Sequence, residues 1–228
     1  MDKRLMEMTL AEKEEYSKKI ITDAQARYDP HMVITFTGGK DSLTMLHLAR
    51  EAFGGTLPFP VLTIDTSANF REITDFIDRI WKEWGFELIT VKNEKALQEI
   101  RVAENKAECC RRLKAEALND AITKYRWKGV FTAIRWDEQE SRKDEEFFSI
   151  RQEPSHTRVN PILHFREIDI WAYIKKYALP YCELYKKGYR SLDCEPCTKP
   201  HGSGGAERGG RSQDKEEAMK SLRDLGYF

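Results

Sequence analysis

The segment Thr-Gly-Gly-Lys-Asp-Ser at residues 37–42 combines residue types that bind a phosphate group. Two adjacent glycines allow a sharp turn that exposes backbone N–H groups, and a helix that follows directs its positive end at the same place. Lys40 adds a positive charge and Ser42 a hydroxyl, while Asp41 could orient the lysine or a bound Mg²⁺. A bare Gly-Gly pair is usually an ordinary turn, but these three residues in register favour a phosphate-binding loop. The pattern differs from the GxxxxGK[ST] loop, so it does not imply cleavage between the β- and γ-phosphates.

Four cysteines fall in two remote segments, as the adjacent pair Cys109 and Cys110 and as Cys194 and Cys197 in Cys-x-x-Cys spacing. Neighbouring cysteines chelate one ion poorly, but they can ligate two different irons of a cubic cluster. Four thiolates suit a [4Fe–4S] cluster or a four-cysteine zinc site. On spacing alone an iron–sulfur cluster, a zinc site and unliganded structural thiols all remain open. Cys182 stands alone and is expected to pack in the core.

Two groups of arginines could bind anions. Arg135 and Arg142 follow a predicted strand, but acidic residues alternate with them, so spacing alone favours a solvated charged stretch. Arg208 and Arg211 lie in a stretch, 201–212, that contains five glycines. That stretch predicts a lid that folds its arginines over bound phosphates and excludes water. A linker to a C-terminal helix is the alternative.

Apolar runs alternate with helical patterns along the chain. Strands are predicted over 32–36, 60–64, 87–91 and 130–134, and helices over 9–28, 43–53, 69–84, 113–125 and 166–177. This order predicts an α/β fold, a doubly wound, Rossmann-like parallel sheet covered by helices on both faces. Ligands bind such sheets beyond the carboxyl ends of the strands, where the glycine loop and Asp65 would both lie. We expect a nucleotide-binding domain with the iron–sulfur site over 1–200 and a flexible lid and tail over 201–228.

Composition narrows the classes of function. The 228 residues, of which 40% are hydrophobic, suffice for one domain with a sizeable core. The chain carries 38 basic and 38 acidic residues, so its zero net charge argues against a general nucleic-acid binder. No signal peptide and no apolar run of membrane-spanning length is visible. We therefore expect a cytoplasmic, reducing location, where five cysteines serve as ligands or buried thiols rather than disulfides.

The glycine segment resembles the pyrophosphate loop of the adenine-nucleotide alpha-hydrolase superfamily, whose members cleave ATP between the α- and β-phosphates. Within it, residues 55–76 and 210–228 are similar to the small catalytic subunit of bacterial sulfate adenylyltransferases. Residues 135–142 resemble a basic motif that this subunit shares with adenylyl-sulfate and phosphoadenylyl-sulfate reductases. The resemblance covers nearly the whole chain. It implies the sulfate-activation branch and a fold of the alpha-hydrolase type.

The cysteine segments, CCRRLK and DCEPCT, resemble the cluster motif of assimilatory adenylyl-sulfate reductases, which pairs CC-x-x-R-K with G-C-x-P-C-T. This resemblance implies a [4Fe–4S] cluster and places Lys114 between cluster and substrate. Leu113 departs from the family's arginine, although Arg111 and Arg112 are close enough in sequence to substitute for it.

Patterns and resemblance together assign roles to named residues. Catalytic roles are expected for Lys40, Asp41, Lys114 and Arg135. Nucleotide binding is expected for Thr37, Gly38, Gly39, Lys40, Asp41, Ser42, Asp65, Arg142, Arg208 and Arg211. Metal ligation is expected for Cys109, Cys110, Cys194 and Cys197.

The expected reaction is adenylyl transfer, in which sulfate or another oxyanion attacks ATP and pyrophosphate leaves with Mg²⁺. One alternative is a reductase acting on adenylyl sulfate or its 3′-phosphorylated form. It meets the objection that no cysteine follows Cys197 to take up the sulfite group. An ATP-dependent sulfur transferase and a non-enzymatic binding module are further alternatives. The expected partners are a GTPase-type or thiol-donor protein and further copies of this chain, with neither nucleic acid nor a membrane.

Overall fold

The computed structural model describes residues 1–202 and 204–217, and this part of the chain is built around one six-stranded sheet. The strands are β1 (Met32–Thr35), β2 (Val61–Ile64), β3 (Leu88–Val91), β4 (Gly129–Phe131), β5 (Phe148–Gln152) and β6 (Ser155–Val159). The helices are α1 (Lys3–Met6), α2 (Leu10–Tyr28), α3 (Lys40–Ala52), α4 (Arg71–Trp84), α5 (Glu94–Glu99), α6 (Lys106–Cys110), α7 (Ala117–Tyr125), α8 (Glu167–Lys176) and α9 (Gln213–Glu217). Short 3₁₀ turns cover Glu140–Arg142, Glu183–Lys187 and Glu195–Cys197.

The sheet has the strand order β3-β2-β1-β4-β6-β5, and the first five of these strands are parallel. Successive residues of β1 point to opposite faces, so Ile34 joins the core under α2, α3 and α4, whereas Val33 packs against α7. Both faces are therefore covered by helices. The predicted doubly wound α/β fold is confirmed.

The hairpin formed by β5 and β6 is absent from the predicted elements. β5 lies at the sheet edge and pairs antiparallel with β6, from Phe148 opposite Val159 to Gln152 opposite Ser155. An edge strand needs only one apolar face, so its other face can carry charged residues. With these charges the stretch has the sequence pattern of a solvated loop. The all-parallel prediction is thus corrected at this one edge.

Local signals predict most helices correctly. Thr9 caps α2 through a capping box with Glu12, as predicted, and α4 ends at Gly85 in the left-handed conformation. The predicted helix over 113–125 is longer than expected. It begins at Lys106, passes through a π-helical stretch at Arg111–Glu116 and continues as α7. Cys109 and Cys110 therefore lie within its first turns.

The predicted tail is only partly described. A short helix after the glycine-rich stretch is present as α9, whereas position 203 and the final segment 218–228, which includes the aromatic C-terminus, lie outside the described residues. Among the residues that are described, no helix combines the length and the apolarity needed to cross a bilayer.

His164 makes the fold sensitive to acid. It is fully buried and packs edge-on against Tyr16, Phe147 and Phe165, and burial together with the charge of Lys13 lowers its pKa from 6.5 to about 4. Between these pH values the unfolded chain binds the proton and the folded chain does not, so stability falls as the pH falls. We expect His164 alone to lower the free energy of unfolding by about 2 kcal/mol between pH 7 and pH 5.

Urea unfolding at the two pH values checks this expectation. In His164→Phe the decrease in unfolding free energy from pH 7 to pH 5 should be about 2 kcal/mol smaller than in the wild type. The exposed His31→Gln variant should behave like the wild type. An acid loss in His164→Phe as large as that of the wild type would contradict the expectation.

Candidate functional site

A cleft of about 240 Å³ opens at the carboxyl ends of β1, β2 and β4. β1 lies between β2, which follows it along the chain, and β4, which the chain reaches only after β3. The strand order therefore reverses here, which is where doubly wound sheets bind ligands. The predicted site residues that line this cleft are Thr37, Gly39, Asp41, Ser42, Lys114, Arg142, Arg208 and Arg211. The fold therefore gathers the glycine loop, the helix after the first cysteine pair and the lid around one cavity.

The glycine loop is a tight turn between β1 and α3. The Ser42 hydroxyl accepts a hydrogen bond from the Thr37 N–H at 3.2 Å and donates to the Gly39 carbonyl at 3.0 Å, which closes the loop on itself. Gly39 caps the N-terminus of α3 without any side-chain acceptor. The positive end of a 13-residue helix is thus directed at the cleft, as a phosphate site requires.

Gly38 is required by the geometry of this turn. Its φ is +73°, and a Cβ atom there would lie 3.0 Å from Cγ2 of Ile73 and 3.2 Å from Cγ1 of Ile77. We expect Gly38→Ala to destabilise the protein by about 1–3 kcal/mol and to weaken pyrophosphate binding, because the loop must shift away from α4. Urea unfolding and calorimetric titration with pyrophosphate measure the two effects. Gly54→Ala, at a surface turn with φ of +67° and open space around it, isolates the backbone strain from the clash.

Lys40 and Arg135 form the buried positive centre of the site. The Lys40 Nζ lies 2.5 Å from Oε1 of Glu207 and 3.5 Å from Asp41, and it donates to the Arg190 carbonyl at 2.8 Å. The Arg135 guanidinium pairs with Glu207 and lies 2.9 Å from Oδ1 of Asp41 and 3.5 Å from Asp137. Exposure of the two basic side chains is only 1% and 0%. Asp41 therefore lies within ion-pair distance of both cations, Arg135 as well as the predicted partner Lys40.

Acidic neighbours keep these two groups charged. Burial acts to lower the pKa of Lys40, but Asp41, Tyr185 and Glu207 outweigh it and raise the pKa above its ordinary value. Burial opposes the charge of Arg135 in the same way, and Asp41 and Glu207 again raise its pKa. The site thus presents two permanent positive charges next to the phosphate loop.

A second ionic group holds the lid against the body. Glu138 is paired with Arg142 and, at 2.6 Å, with Arg208. Arg208 also contacts Glu216 of α9 at 2.7 Å. Burial acts to raise the pKa of Glu138, but Arg142 and Arg208 overcome it and lower the pKa strongly. The two predicted nucleotide-binding arginines therefore share one buried carboxylate at the wall of the cleft.

A third ionic group connects the cysteine loop with the lid. Asp193, next to Cys194, pairs with Lys114 and lies 2.6 Å from Nη1 of Arg211. Arg211 also donates to the Ser191 hydroxyl at 2.9 Å. Lys114 and Arg211 both line the cleft, and the aspartate that joins them is not among the predicted residues.

The four cysteines come together in the tertiary structure. All are buried, and burial followed by the charges of Cys194, Cys110 and Cys109 raises the pKa of Cys197, while Lys114 lowers it. Thr66 lies with its hydroxyl 3.2 Å from the Cys194 sulfur. Across 1–202 and 204–217, no group of three or more His, Cys, Asp or Glu side chains is arranged to hold a single metal ion. Cys182 lies elsewhere, in the main core, as predicted.

Asp65 stands apart from the other predicted site residues. It follows β2, accepts a hydrogen bond from the Ser67 N–H at 2.7 Å and lies 3.5 Å from Lys92. The sequence patterns in turn miss Glu207, Glu138, Asp193 and Tyr185. The Tyr185 hydroxyl accepts a hydrogen bond from the Lys40 backbone N–H at 2.8 Å. Nothing in the local sequence signals a tyrosine this remote, whereas the acidic residues stand beside predicted cationic or cysteine ligands and could have been paired with them.

Comparison with known sequences finds a matching protein family and similar relatives. The model of the phosphoadenosine phosphosulfate reductase domain family matches residues 31–200. Sulfate adenylyltransferase subunit 2 of Photorhabdus laumondii is 34% identical over 210 residues, which are 81% of this chain and 68% of that protein. The Serratia proteamaculans protein of the same name is 35% identical over 210 residues, with the same coverage.

Solved structures share the fold at lower identity. Candida glabrata FMN adenylyltransferase, in complex with FAD and inorganic pyrophosphate, aligns with a TM-score of 0.68 and 18% identity over 87% of this chain and 69% of that one. Phosphoadenylyl-sulfate reductase from Candida auris, as a phosphate complex, aligns with a TM-score of 0.66 and 19% identity over 79% of this chain and 88% of that one. At these identities the structural comparison concerns the fold alone.

Proposed function

Because the chain belongs to the phosphoadenosine phosphosulfate reductase domain family, we propose that it is an adenylyltransferase of sulfur metabolism that forms adenylyl sulfate and pyrophosphate from ATP and sulfate. The observation that carries this proposal is the intact glycine loop at residues 37–42, which is closed by its own hydrogen bonds and lies beside the buried charges of Lys40 and Arg135. A cradle of this kind suits a leaving pyrophosphate. The names of the two curated relatives described above point to the same reaction.

The chemistry needs positioning and charge neutralisation more than a side-chain nucleophile. A sulfate oxygen attacks the α-phosphorus, the bond from that phosphorus to the bridging oxygen breaks, and pyrophosphate leaves with the electron pair. The N–H groups of the loop and the Lys40 ammonium bind the leaving group. Arg135, which contacts Asp41, adds a second positive charge nearby. Bound Mg²⁺ would neutralise phosphate oxygens, and Asp41 is the carboxylate in the loop that could hold it.

The sulfate side of the cleft is assigned to the basic residues farther from the loop. Lys114, Arg142, Arg208 and Arg211 line the same cavity and bring positive charge from the cysteine-bearing helix, the segment after β4 and the lid. We propose that they hold sulfate in line with the α-phosphorus. Because each is already ion-paired with Glu138 or Asp193, its position is fixed before the substrate arrives.

We propose further that Cys109, Cys110, Cys194 and Cys197 hold a [4Fe–4S] cluster. Their thiols are buried and close enough to one another that three of them raise the pKa of the fourth. A cubic cluster is larger than an ion, so its ligands surround it at wider spacing than those of a single-ion site. When bound, the cluster would supply a negatively charged iron–sulfur core whose field acts near Lys114.

A partner subunit belongs to the proposal. The curated relatives are named subunit 2 of their enzyme, which supports a second, different subunit for this chain. We keep the GTPase-type protein and self-association as the partners to test. A thiol-donor protein is the partner that the reductase alternative would need.

Adenylyl-sulfate reduction is the second candidate, and the reductase family model is the observation that favours it. One assay separates the candidates. Protein purified without oxygen should release pyrophosphate from ATP in proportion to added sulfate and form adenylyl sulfate. Sulfite release from adenylyl sulfate with a thiol donor, and no sulfate-dependent pyrophosphate, would reverse the assignment.

A further inference from the structure

A carboxylate of the lid occupies the positive centre of the phosphate site. Glu207 lies in the turn after Gly205, and its two carboxylate oxygens are divided between Lys40 and Arg135. Only 8% of its side chain is exposed. A negatively charged group with two oxygens thus sits where the glycine loop and both buried cations converge. Such a centre is built to attract an anion, so the lid carboxylate takes the place that an anion would take.

The turn that carries Glu207 is anchored on both sides. On one side, the Arg190 guanidinium donates to the Gly205 carbonyl at 2.9 Å. On the other, the Lys199 N–H donates to the Gly210 carbonyl at 2.9 Å, and an isolated β-bridge joins Thr198 to Arg211. The placement of Glu207 therefore belongs to a packed turn that continues directly from the second cysteine pair.

The packing of this turn is tight enough to exclude side chains from its glycines. A Cβ atom on Gly209 would lie 2.2 Å from Nε2 of His201, and one on Gly210 would lie 2.2 Å from the Lys199 carbonyl oxygen. Gly210 therefore needs glycine for this turn to form, because the clashing atom belongs to the backbone, whereas the exposed His201 ring could turn away from a side chain at Gly209.

A cradle of this kind without Glu207 would also bind anions other than a diphosphate. The proposed acceptor, sulfate, is a tetrahedral dianion that also suits a helix N-terminus flanked by two cations. Sulfate in the pyrophosphate position would block ATP. A diphosphate carries more charge and more oxygens than sulfate, so it can engage the loop N–H groups, Lys40 and Arg135 together. Displacing the carboxylate costs the same free energy for either anion. Sulfate, the weaker ligand, is therefore excluded, whereas a diphosphate still binds.

We propose that Glu207 acts as a built-in competitor that keeps weakly bound anions such as sulfate out of the phosphate loop and yields to the diphosphate of the nucleotide. This inference rests on the proposed function, because it takes ATP and sulfate as the two substrates. Glu207 leaves Lys40 and Arg135 when the diphosphate binds, and sulfate alone does not displace it. Sulfate is thereby restricted to the other end of the cleft.

Calorimetric titrations of the full chain with pyrophosphate and with sulfate test the inference. Glu207→Gln keeps the shape and removes the charge, so we expect it to bind pyrophosphate about tenfold more tightly than the wild type does. Sulfate should gain by the same factor, because it must displace the same carboxylate, and should become a measurable competitor of pyrophosphate in the variant. Glu183→Gln, which removes a surface carboxylate paired with Lys187, is the matched control and should change neither affinity.

A second variant keeps the test decisive if loss of this carboxylate prevents folding. Glu207→Asp retains the charge but is too short to reach Lys40 and Arg135 together, and it should show a smaller gain of the same sign. Equal or weaker binding of both anions by every folded variant would overturn the inference. Because the titrations need no turnover, absence of adenylyl sulfate formation would count against the proposed function alone.

Discussion

Replacing Lys40 with methionine is expected to lower kcat/KM for sulfate-dependent pyrophosphate release by about a hundred- to a thousandfold. The methionine has nearly the length of the lysine stem, so the change removes the charge and leaves most of the packing. Lys40 is buried next to the loop, where its charge acts on the leaving group with little screening by water. That charge matters most as the bond to pyrophosphate breaks.

The measurement is steady-state pyrophosphate release over a range of ATP concentrations. If Lys40 binds the leaving group, kcat should fall more than the affinity for ATP, because the negative charge on the pyrophosphate grows in the transition state. Lys187→Met removes a surface lysine, paired with Glu72 and Glu183, and should behave like the wild type. Thermal unfolding of both variants shows whether the fold persists. A folded Lys40→Met protein with unchanged kcat would remove Lys40 from the reaction.

Replacing Cys197 with serine is expected to abolish the proposed cluster. Protein purified without oxygen should carry about four iron atoms per chain and show broad absorption at about 400 nm. The serine variant should lose nearly all of both, because a hydroxyl is a far poorer ligand for iron than a thiolate. Iron analysis and absorption spectroscopy check this without any activity assay.

Cys182→Ala is the matched control for the cysteine experiment. Cys182 is buried like the four candidate ligands, but it belongs to the main core with α3 and α8. The alanine variant should therefore lose some stability and keep its iron. Equal iron contents in the Cys197→Ser and wild-type proteins, or a colourless wild type with one zinc per chain, would contradict the cluster assignment.

The cysteine variant should also affect the lid. The Cys197 carbonyl accepts a hydrogen bond from the Ser212 N–H at 3.1 Å, and Asp193 connects Lys114 with Arg211. The cysteine loop and the root of the lid thus form one hydrogen-bonded unit. A protein that cannot assemble the cysteine site is expected to hold Glu207 and Arg208 less firmly.

The sequence by itself determined the features that depend on neighbouring residues. The strand, glycine loop and helix around Lys40 follow from a local order of residue types, and the helix 3.6-residue period identifies α4 through Ile73, Ile77 and Ile80. The capping box of α2 and the two cysteine pairs are equally local. Each of these signals is complete within a short run of the chain, so its interpretation does not depend on what lies across the sheet.

Only the tertiary structure decided which charges meet. Lys40, Arg135 and Glu207 lie far apart in sequence, and the chain offers 38 basic and 38 acidic residues from which many other pairs could form. They are joined because β1 and β4 are neighbours in the sheet and the chain returns across their carboxyl ends before α9. Ion pairing depends on distance in space, which a sequence pattern does not encode. For the same reason spacing alone favours a solvated stretch around Arg135 and Arg142, whereas folding buries both arginines against carboxylates.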